Sequence, residues 1–363
     1  MLVGSPGKGW FAKLFPMYKP RLITLDSGLR IVLSPNKGAP TTTVLVLVGA
    51  GSEYEKKEYN GISHFLEHLA FKGTTRFPKP GQISLEFDKL GAQSNAFTYY
   101  TYTGYYAKAQ SGKTEKILDI VTDLFVDPLI DPVEVEKERG VILEEIAMYE
   151  DRPQSQAMEL LDEILYGDQP AGWPVAGPKK TIKKITAKQV MTYRNAFYRA
   201  PKTVVSIAGD FDVRRVKKFL EERFSALSSK PSPRKKKTKI TKKGPQVKIK
   251  KKKTDQAHVA LGFHGYDMHD DRRFALQLLS TVLGRGMSSR LFHRVREELG
   301  AAYYVGASPY AFIDRGGLMI TSGITASRLN EVFQAIIEEC TKLKEELVPP
   351  QELQKAKDFM IGN

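Results

Sequence analysis

The chain has 363 residues, 41% of them hydrophobic, which is enough to bury a sizeable core and suits two domains better than one. Its most hydrophobic segment, 43–50, is far short of the roughly eighteen apolar residues a spanning helix needs, so an integral membrane protein is excluded. The single cysteine, Cys340, rules out an intrachain disulfide and any cysteine-rich zinc module, and it fits a reducing, cytoplasmic setting.

The net charge of +15 is concentrated. Between Lys230 and Lys253 stand thirteen Lys or Arg and no acid, and taking these from +15 leaves +2 for a nearly balanced body. The stretch reads as a solvated, proline-containing interdomain linker that runs into an edge strand at Val247 and Ile249. No aromatic residues interleave with the lysines, so stacking on single-stranded nucleic acid is not supported, and nucleic acid is not an expected partner.

In chain order, residues 1–15 carry two lysines and some aromatics but no long apolar core and no small-residue cleavage site, so no secretory signal is read there. Strand-like runs at 30–34, 42–48 and 204–207 then alternate with helical patterns around 61–72, 82–90, 113–126, 132–150 and 155–166. Beyond the basic segment the order repeats in outline. A strand at 258–263 is followed by helices at 271–283 and 290–298, strands at 303–310 and 317–324, and a helix at 327–346. The predicted class is α+β, with two similar domains, each a mostly antiparallel or mixed sheet covered by helices. The predicted boundaries are 1–228, a basic linker at 229–253, and 254–363. The last helical pattern, from near Pro350, reaches Asn363 with no stop signal, so the second domain is expected to be C-terminally incomplete.

The chemistry-bearing segment is Asn60 to Phe71, NGISHFLEHLAF. Leu66, Leu69, Ala70 and Phe71 suit a buried helix that Asn60 or Ser63 could cap. His64 and His68 then fall at i and i+4 on one face, and at about 100° per residue Glu67 lies roughly 60° to the other side of His64. Two imidazoles can converge on one ion while the carboxylate reaches a water beside it, as zinc hydrolysis requires. The spacing H-x-x-E-H is a known zinc-peptidase pattern.

A catalytic zinc of this kind takes a third protein ligand. The best source is the helix beginning at Asp131-Pro132, where Asp131 caps and Pro132 suits the first turn. Of two adjacent acids, Glu144 points with Lys137 and Asp151, whereas Glu145 is flanked by Val141, Ile142, Met148 and Tyr149. A carboxylate in an apolar stripe is costly unless a cation or metal offsets it, which favours Glu145 as the third ligand. Glu138, seven residues earlier on that face, could hold a ligating histidine from behind. His264 and His269, near Asp267, Asp270 and Asp271, read instead as ordinary exposed residues at a helix start.

Three motifs in order, GSEYE-x5-GISHFLEHLAFKGT, ERGVILEEI and RVREELGAAYYV, together resemble the pitrilysin and insulinase family of zinc peptidases, in the branch of the mitochondrial processing peptidases and their bacterial relatives. The resemblance spans nearly the whole chain. It implies His64, His68 and Glu145 as ligands of one zinc ion per chain, Glu67 as general base, and Glu138 as a supporting acid. It implies that Gly91 to Tyr106 holds a substrate-binding edge strand with Asn95 and Ala96 beside the scissile bond. It also implies that Arg296 and Tyr303, or Tyr304 by a shift of one, bind the substrate carbonyl. The expected activity is endopeptidase cleavage of peptides or unfolded polypeptide segments, by a homodimer or a heterodimer with a paralogous subunit. The alternative is a metal-free partner subunit of a two-chain peptidase complex.

Overall fold

A computed structural model describes residues 20–240 and 244–362. The residues at 1–15, read above as lacking a secretory signal, lie outside this range. The fold is α+β and divides into two compact units that interleave along the chain: residues 1–55, 61–141 and 180–234 form one, and residues 56–60, 142–179 and 235–363 the other. The boundaries expected from the sequence are contiguous, whereas here residues 142–179 group with the second unit.

The first unit is built on a six-stranded mixed sheet. Its strands are β1 (Arg21–Thr24), β2 (Arg30–Pro35), β3 (Thr41–Val48), β4 (Gln93–Thr98), β5 (Thr103–Gln110) and β6 (Thr203–Gly209), ordered β1-β2-β6-β3-β5-β4. Among the described residues only β2 and β6 pair in parallel. Strand β3 shows why it is central: Thr42, Val44, Val46 and Val48 are fully buried on one face, and the residues between them are half-covered on the other. Among the described residues strand β4 pairs with β5 alone and is an edge.

Helix α1 (Ile62–Ala70) packs against β4, and α2 spans Gln82–Lys89. Helix α3 (Thr114–Val126), with Ile117, Leu118, Val121, Leu124 and Phe125 buried, lies across β3 and β5. Helix α4 (Pro132–Asp151) is one unbroken rod that starts in the first unit and continues into the second. Asp131 accepts from the Val133 N–H at 2.7 Å and so caps it, as its position suggests. Two further helices, α5 (Pro153–Tyr166) in the second unit and α6 (Ala187–Phe197) in the first, follow, and α6 packs on α1. Helix α7 (Val213–Arg223) completes the first unit.

The second unit holds an antiparallel sheet of β7 (Ala257–His264), β8 (Ala302–Ala311) and β9 (Gly316–Ile324), ordered β7-β9-β8. Helices α8 (Arg272–Gly284), α9 (Leu329–Glu345) and α10 (Pro350–Gly362) belong to it. Its core gathers Leu283, Leu291, Val295, Ile320, Ile324 and Ile336. Helix α5 lies directly on β7, where a Cβ on Gly262 would come within 2.8 Å of Leu161 and Leu165. The helix expected at 290–298 is π-helical over Phe292–Glu298.

The strand expected at Val247 and Ile249 does not form. Both side chains are exposed, by 83% and 79%, and residues 245–254 have no regular structure. The lysines between them explain the difference. Lys248 pairs with Glu163, Lys250 donates to Gln156 Oε1, and Lys252 donates to Asp151 Oδ1 at 3.1 Å and to the Glu150 carbonyl at 2.8 Å. Alternate side chains of an extended chain face one way, so every second lysine clasps the acidic flank of α4 and α5. The segment is held by side chains, with no sheet ladder.

Candidate metal centre

Helix α1 begins at a tight corner that a glycine makes possible. Gly61 has φ +98°, a left-handed backbone that favours glycine, and the Glu55 carboxylate accepts from the N–H groups of Gly61 and Ser63 at 2.7 and 2.8 Å. Neither Asn60 nor Ser63 caps the helix, contrary to the expectation from sequence. The Asn60 amide instead donates to the Pro174 carbonyl, and the Ser63 hydroxyl bonds the Tyr193 hydroxyl at 2.8 Å. Along the helix Ile62, Ser63, Phe65, Leu66, Leu69 and Ala70 are buried, and only His64, Glu67 and His68 are half-open. The apolar face thus leaves one arc, and the three chemistry-bearing side chains fill it.

The Nε2 atoms of His64 and His68 lie 3.2 Å apart. The Nδ1–H of His68 donates to Glu138 Oε1 at 2.9 Å, and the other Glu138 oxygen accepts from Lys72 Nζ at 2.6 Å. Burial pushes the Glu138 carboxyl up, but the hydrogen bonds from His68 and Lys72 and their charge outweigh it and hold the group below the usual carboxylate range. With its Nδ1 proton engaged, neutral His68 presents a lone pair at Nε2.

Glu138 also sets the register of α4. Its buried stripe is Val135, Glu138, Ile142 and Ile146. Glu145, two turns or roughly 10 Å beyond Glu138 on the same rod, stands half-buried beside that stripe. The apolar flank that the sequence suggested for Glu145 is only partly buried, because Val141 and Met148 are 51% and 41% exposed. Glu144 is exposed. Ligand atoms of His64, His68 and Glu145 all lie within 4.8 Å of one another, and among the described residues no other cluster of His, Cys, Asp or Glu does so.

This donor set fits zinc. Two imidazole nitrogens and a carboxylate are its usual ligands, and ligand atoms on a tetrahedral zinc with bonds of about 2.0–2.1 Å sit roughly 3.3 Å apart. The two Nε2 atoms already have close to that separation.

Asn95 and Ala96 lie on the edge strand β4, Asn95 exposed and Ala96 buried, with Asn95 Oδ1 accepting from the Ala96 N–H at 2.9 Å. Of the neighbouring tyrosines, Tyr105 is buried, while Tyr99 and Tyr102 remain partly exposed and pack around Phe97. One residue the sequence reading passed over is Thr98, whose hydroxyl donates to Glu67 Oε2. The signal was available, because strand periodicity puts Thr98 on the same face as the buried Ala96.

Arg296 and Tyr303 belong to the second unit. Arg296 stacks over Phe292 at 4.9 Å. Tyr303 is 73% exposed and is the extra residue of a β-bulge, because Ala302 pairs with Ile324 and Tyr304 with Gly323. Tyr304 is engaged elsewhere: its hydroxyl bonds His258 Nδ1 at 3.0 Å and its ring covers Gly323. The second unit also has a cleft of 680 Å³, lined by Tyr149, Glu150, Gln156, Glu159 and Trp173, into which Lys250 of the basic segment projects.

Comparison with known proteins identifies the family. The family model described as Insulinase (Peptidase family M16) matches residues 30–179, and the one described as Peptidase M16 inactive domain matches residues 184–360. The chain is 36% identical to the "Uncharacterized zinc protease YmxG" of Bacillus subtilis over 94% of its own length and 82% of that relative's. It is 35% identical to the "Uncharacterized zinc protease SCO5738" of Streptomyces coelicolor over 94% and 76%. Its fold matches the crystal structure of a protease from Helicobacter pylori with a TM-score of 0.86 at 24% identity, covering 95% of this chain and 84% of that one. A peptidase M16 inactive domain from Pseudomonas fluorescens matches with the same TM-score at 20% identity. The chain belongs to the insulinase family, peptidase family M16.

Proposed function

We propose that the chain is a zinc-dependent endopeptidase acting on peptides or unfolded polypeptide segments. The observation that carries this reading is the convergence of His64, His68 and Glu145, with Glu67 on the same arc of α1. A zinc ion held by the three ligands would act as a Lewis acid, making water acidic near neutral pH and polarising a carbonyl. Glu67 accepts the proton of the attacking water and passes it to the leaving amine. Glu138 holds the His68 ring and keeps its proton on Nδ1.

Substrate would add as a further strand along the open edge of β4, where Asn95 and Ala96 sit, so that backbone is recognised and side chains are read only by local pockets. Arg296 and Tyr303 are assigned to the substrate carbonyl. The exposed, bulged position of Tyr303 and the engaged hydroxyl of Tyr304 favour the former of the two tyrosines. The retained set of His64, His68, Glu145 and Glu67 favours the peptidase reading over a metal-free partner subunit, the alternative toward which the printed description of the Pseudomonas fluorescens structure points. Pairing of two chains, identical or paralogous, is the assembly we assign.

The test compares wild type with Glu67→Gln, measuring bound zinc by atomic absorption and cleavage of unfolded casein. The expected result is one zinc per chain in both, with turnover reduced about 10²–10⁴-fold in the variant. A Glu67→Gln variant with full activity would remove Glu67 from the chemistry.

A further inference from the structure

We propose that Thr98 is a positioning residue for the general base, holding the Glu67 carboxylate in its working orientation and tying it to the edge strand on which substrate docks. This inference rests on the peptidase reading and adds a residue to it. A glutamate side chain has three torsions and keeps considerable rotamer freedom when half-buried, as Glu67 is. A base that must meet a water within hydrogen-bond reach loses much of its effect when displaced by about 1 Å. The hydroxyl of Thr98 donates to Glu67 Oε2. A threonine suits this task because its β-branch restricts χ1, so the donor direction is set by the backbone of β4.

The backbone there is itself well held. Thr98 is the last residue of β4 and pairs with Thr103 at the start of β5, and the turn between them closes with Tyr99 N–H to the Tyr102 carbonyl at 2.8 Å. Thr103 is fully buried, donates to the Ala50 carbonyl at 3.0 Å, and lies 3.5 Å from Thr98 Oγ1. The buried Tyr198 and Tyr105 hydroxyls meet at 3.0 Å. Burial pushes both tyrosines well above their ordinary range, so both remain neutral hydroxyls at neutral pH. Thr98 thus gives its one hydroxyl proton to the carboxylate, while that of the neighbouring Thr103 goes to the Ala50 carbonyl and anchors the strand. The network lies wholly within the first unit.

The experiment uses the full zinc-loaded chain and its best-cleaved member of a panel of internally quenched peptides. Thr98→Val keeps the shape and the branch but removes the hydroxyl, and Thr98→Ser restores it. The expected result is a kcat lowered about 10–100-fold in Thr98→Val, the scale of a lost hydrogen bond to a charged group. KM and zinc affinity should stay within about twofold of wild type, and Thr98→Ser should recover to within about threefold. Equal kcat in wild type and Thr98→Val, or a serine variant as slow as the valine one, overturns the proposal. So does a parallel loss of zinc affinity, which would mark a structural role. Wild type that cleaves nothing sinks the peptidase reading itself and is told apart by a second measurement. Unfolding midpoints of Thr98→Val, Glu67→Ala and the double variant report the contact without turnover, and strict additivity there means that the two side chains do not interact.

Discussion

His68 and Glu138 are seventy residues apart in the chain, yet His68 Nδ1 stands 2.9 Å from Glu138 Oε1. The contact links α1 to α4 and orients one imidazole at the same time. Because α4 is a single rod, fixing Glu138 also fixes where Glu145 falls two turns later.

Replacing Glu138 therefore acts on the metal without touching it. Glu138→Gln should weaken zinc binding about 10–100-fold, since the amide no longer supplies a charged acceptor for the His68 proton. Competition with a chromogenic chelator measures this, and unchanged affinity would mean that the ring is oriented by something else.

Removing the metal should lower stability as well as activity. A ligand that binds only the folded state stabilises by mass action, about 4 kcal/mol at a thousandfold excess over its dissociation constant. Dialysis against a chelator should lower the unfolding temperature, and one equivalent of zinc should restore it. Restoration by calcium but not zinc would contradict a nitrogen-rich site.

Glu55 satisfies two buried backbone N–H groups at the start of α1, so Glu55→Ala leaves both without an acceptor. The expected loss is about 2–4 kcal/mol, combining the removed cap with the desolvated donors. Denaturant unfolding reads it, and a change below about 0.5 kcal/mol would show that water or another group takes over.

The second unit carries an acid-sensitive contact. Burial raises the Asp314 carboxyl, but the hydrogen bonds from Lys235 and Thr238 and the lysine charge hold it below the ordinary range overall. A carboxylate depressed in the folded state stabilises above its unfolded value and loses that contribution as pH falls through the folded one. Stability should thus decline as pH drops below about 4. Asp314→Asn should be less stable than wild type at pH 7 and show a shallower decline in acid, as followed by unfolding from pH 7 to 3.

The basic segment should respond to charge reversal. Changing Lys248, Lys250 and Lys252 to Glu sets like charges against Glu163 and Asp151, and the freed segment should be cut by trypsin at Lys251 and Lys253 several times faster than in wild type. Equal cleavage rates would mean that the clasp contributes nothing to holding it.

The sequence alone determined the elements that are local. The strand-like apolar run at 42–48 and the spacing of His64, Glu67 and His68 on one helix each follow from a few adjacent residues. The α+β class was legible for the same reason, and the edge strand with Asn95 and Ala96 through family resemblance. What only the tertiary structure decided depends on residues far apart in the chain. It showed Glu55 as the cap of α1 in place of Asn60 or Ser63, and Thr98 on Glu67. It turned Tyr303 outward at a bulge while Tyr304 packs on Gly323, and it clasped the lysines that had read as a free linker onto α4 and α5. Pairings of this kind leave no periodic trace, since a hydrogen bond between positions tens of residues apart is set by how helices and strands pack and not by the spacing of either partner.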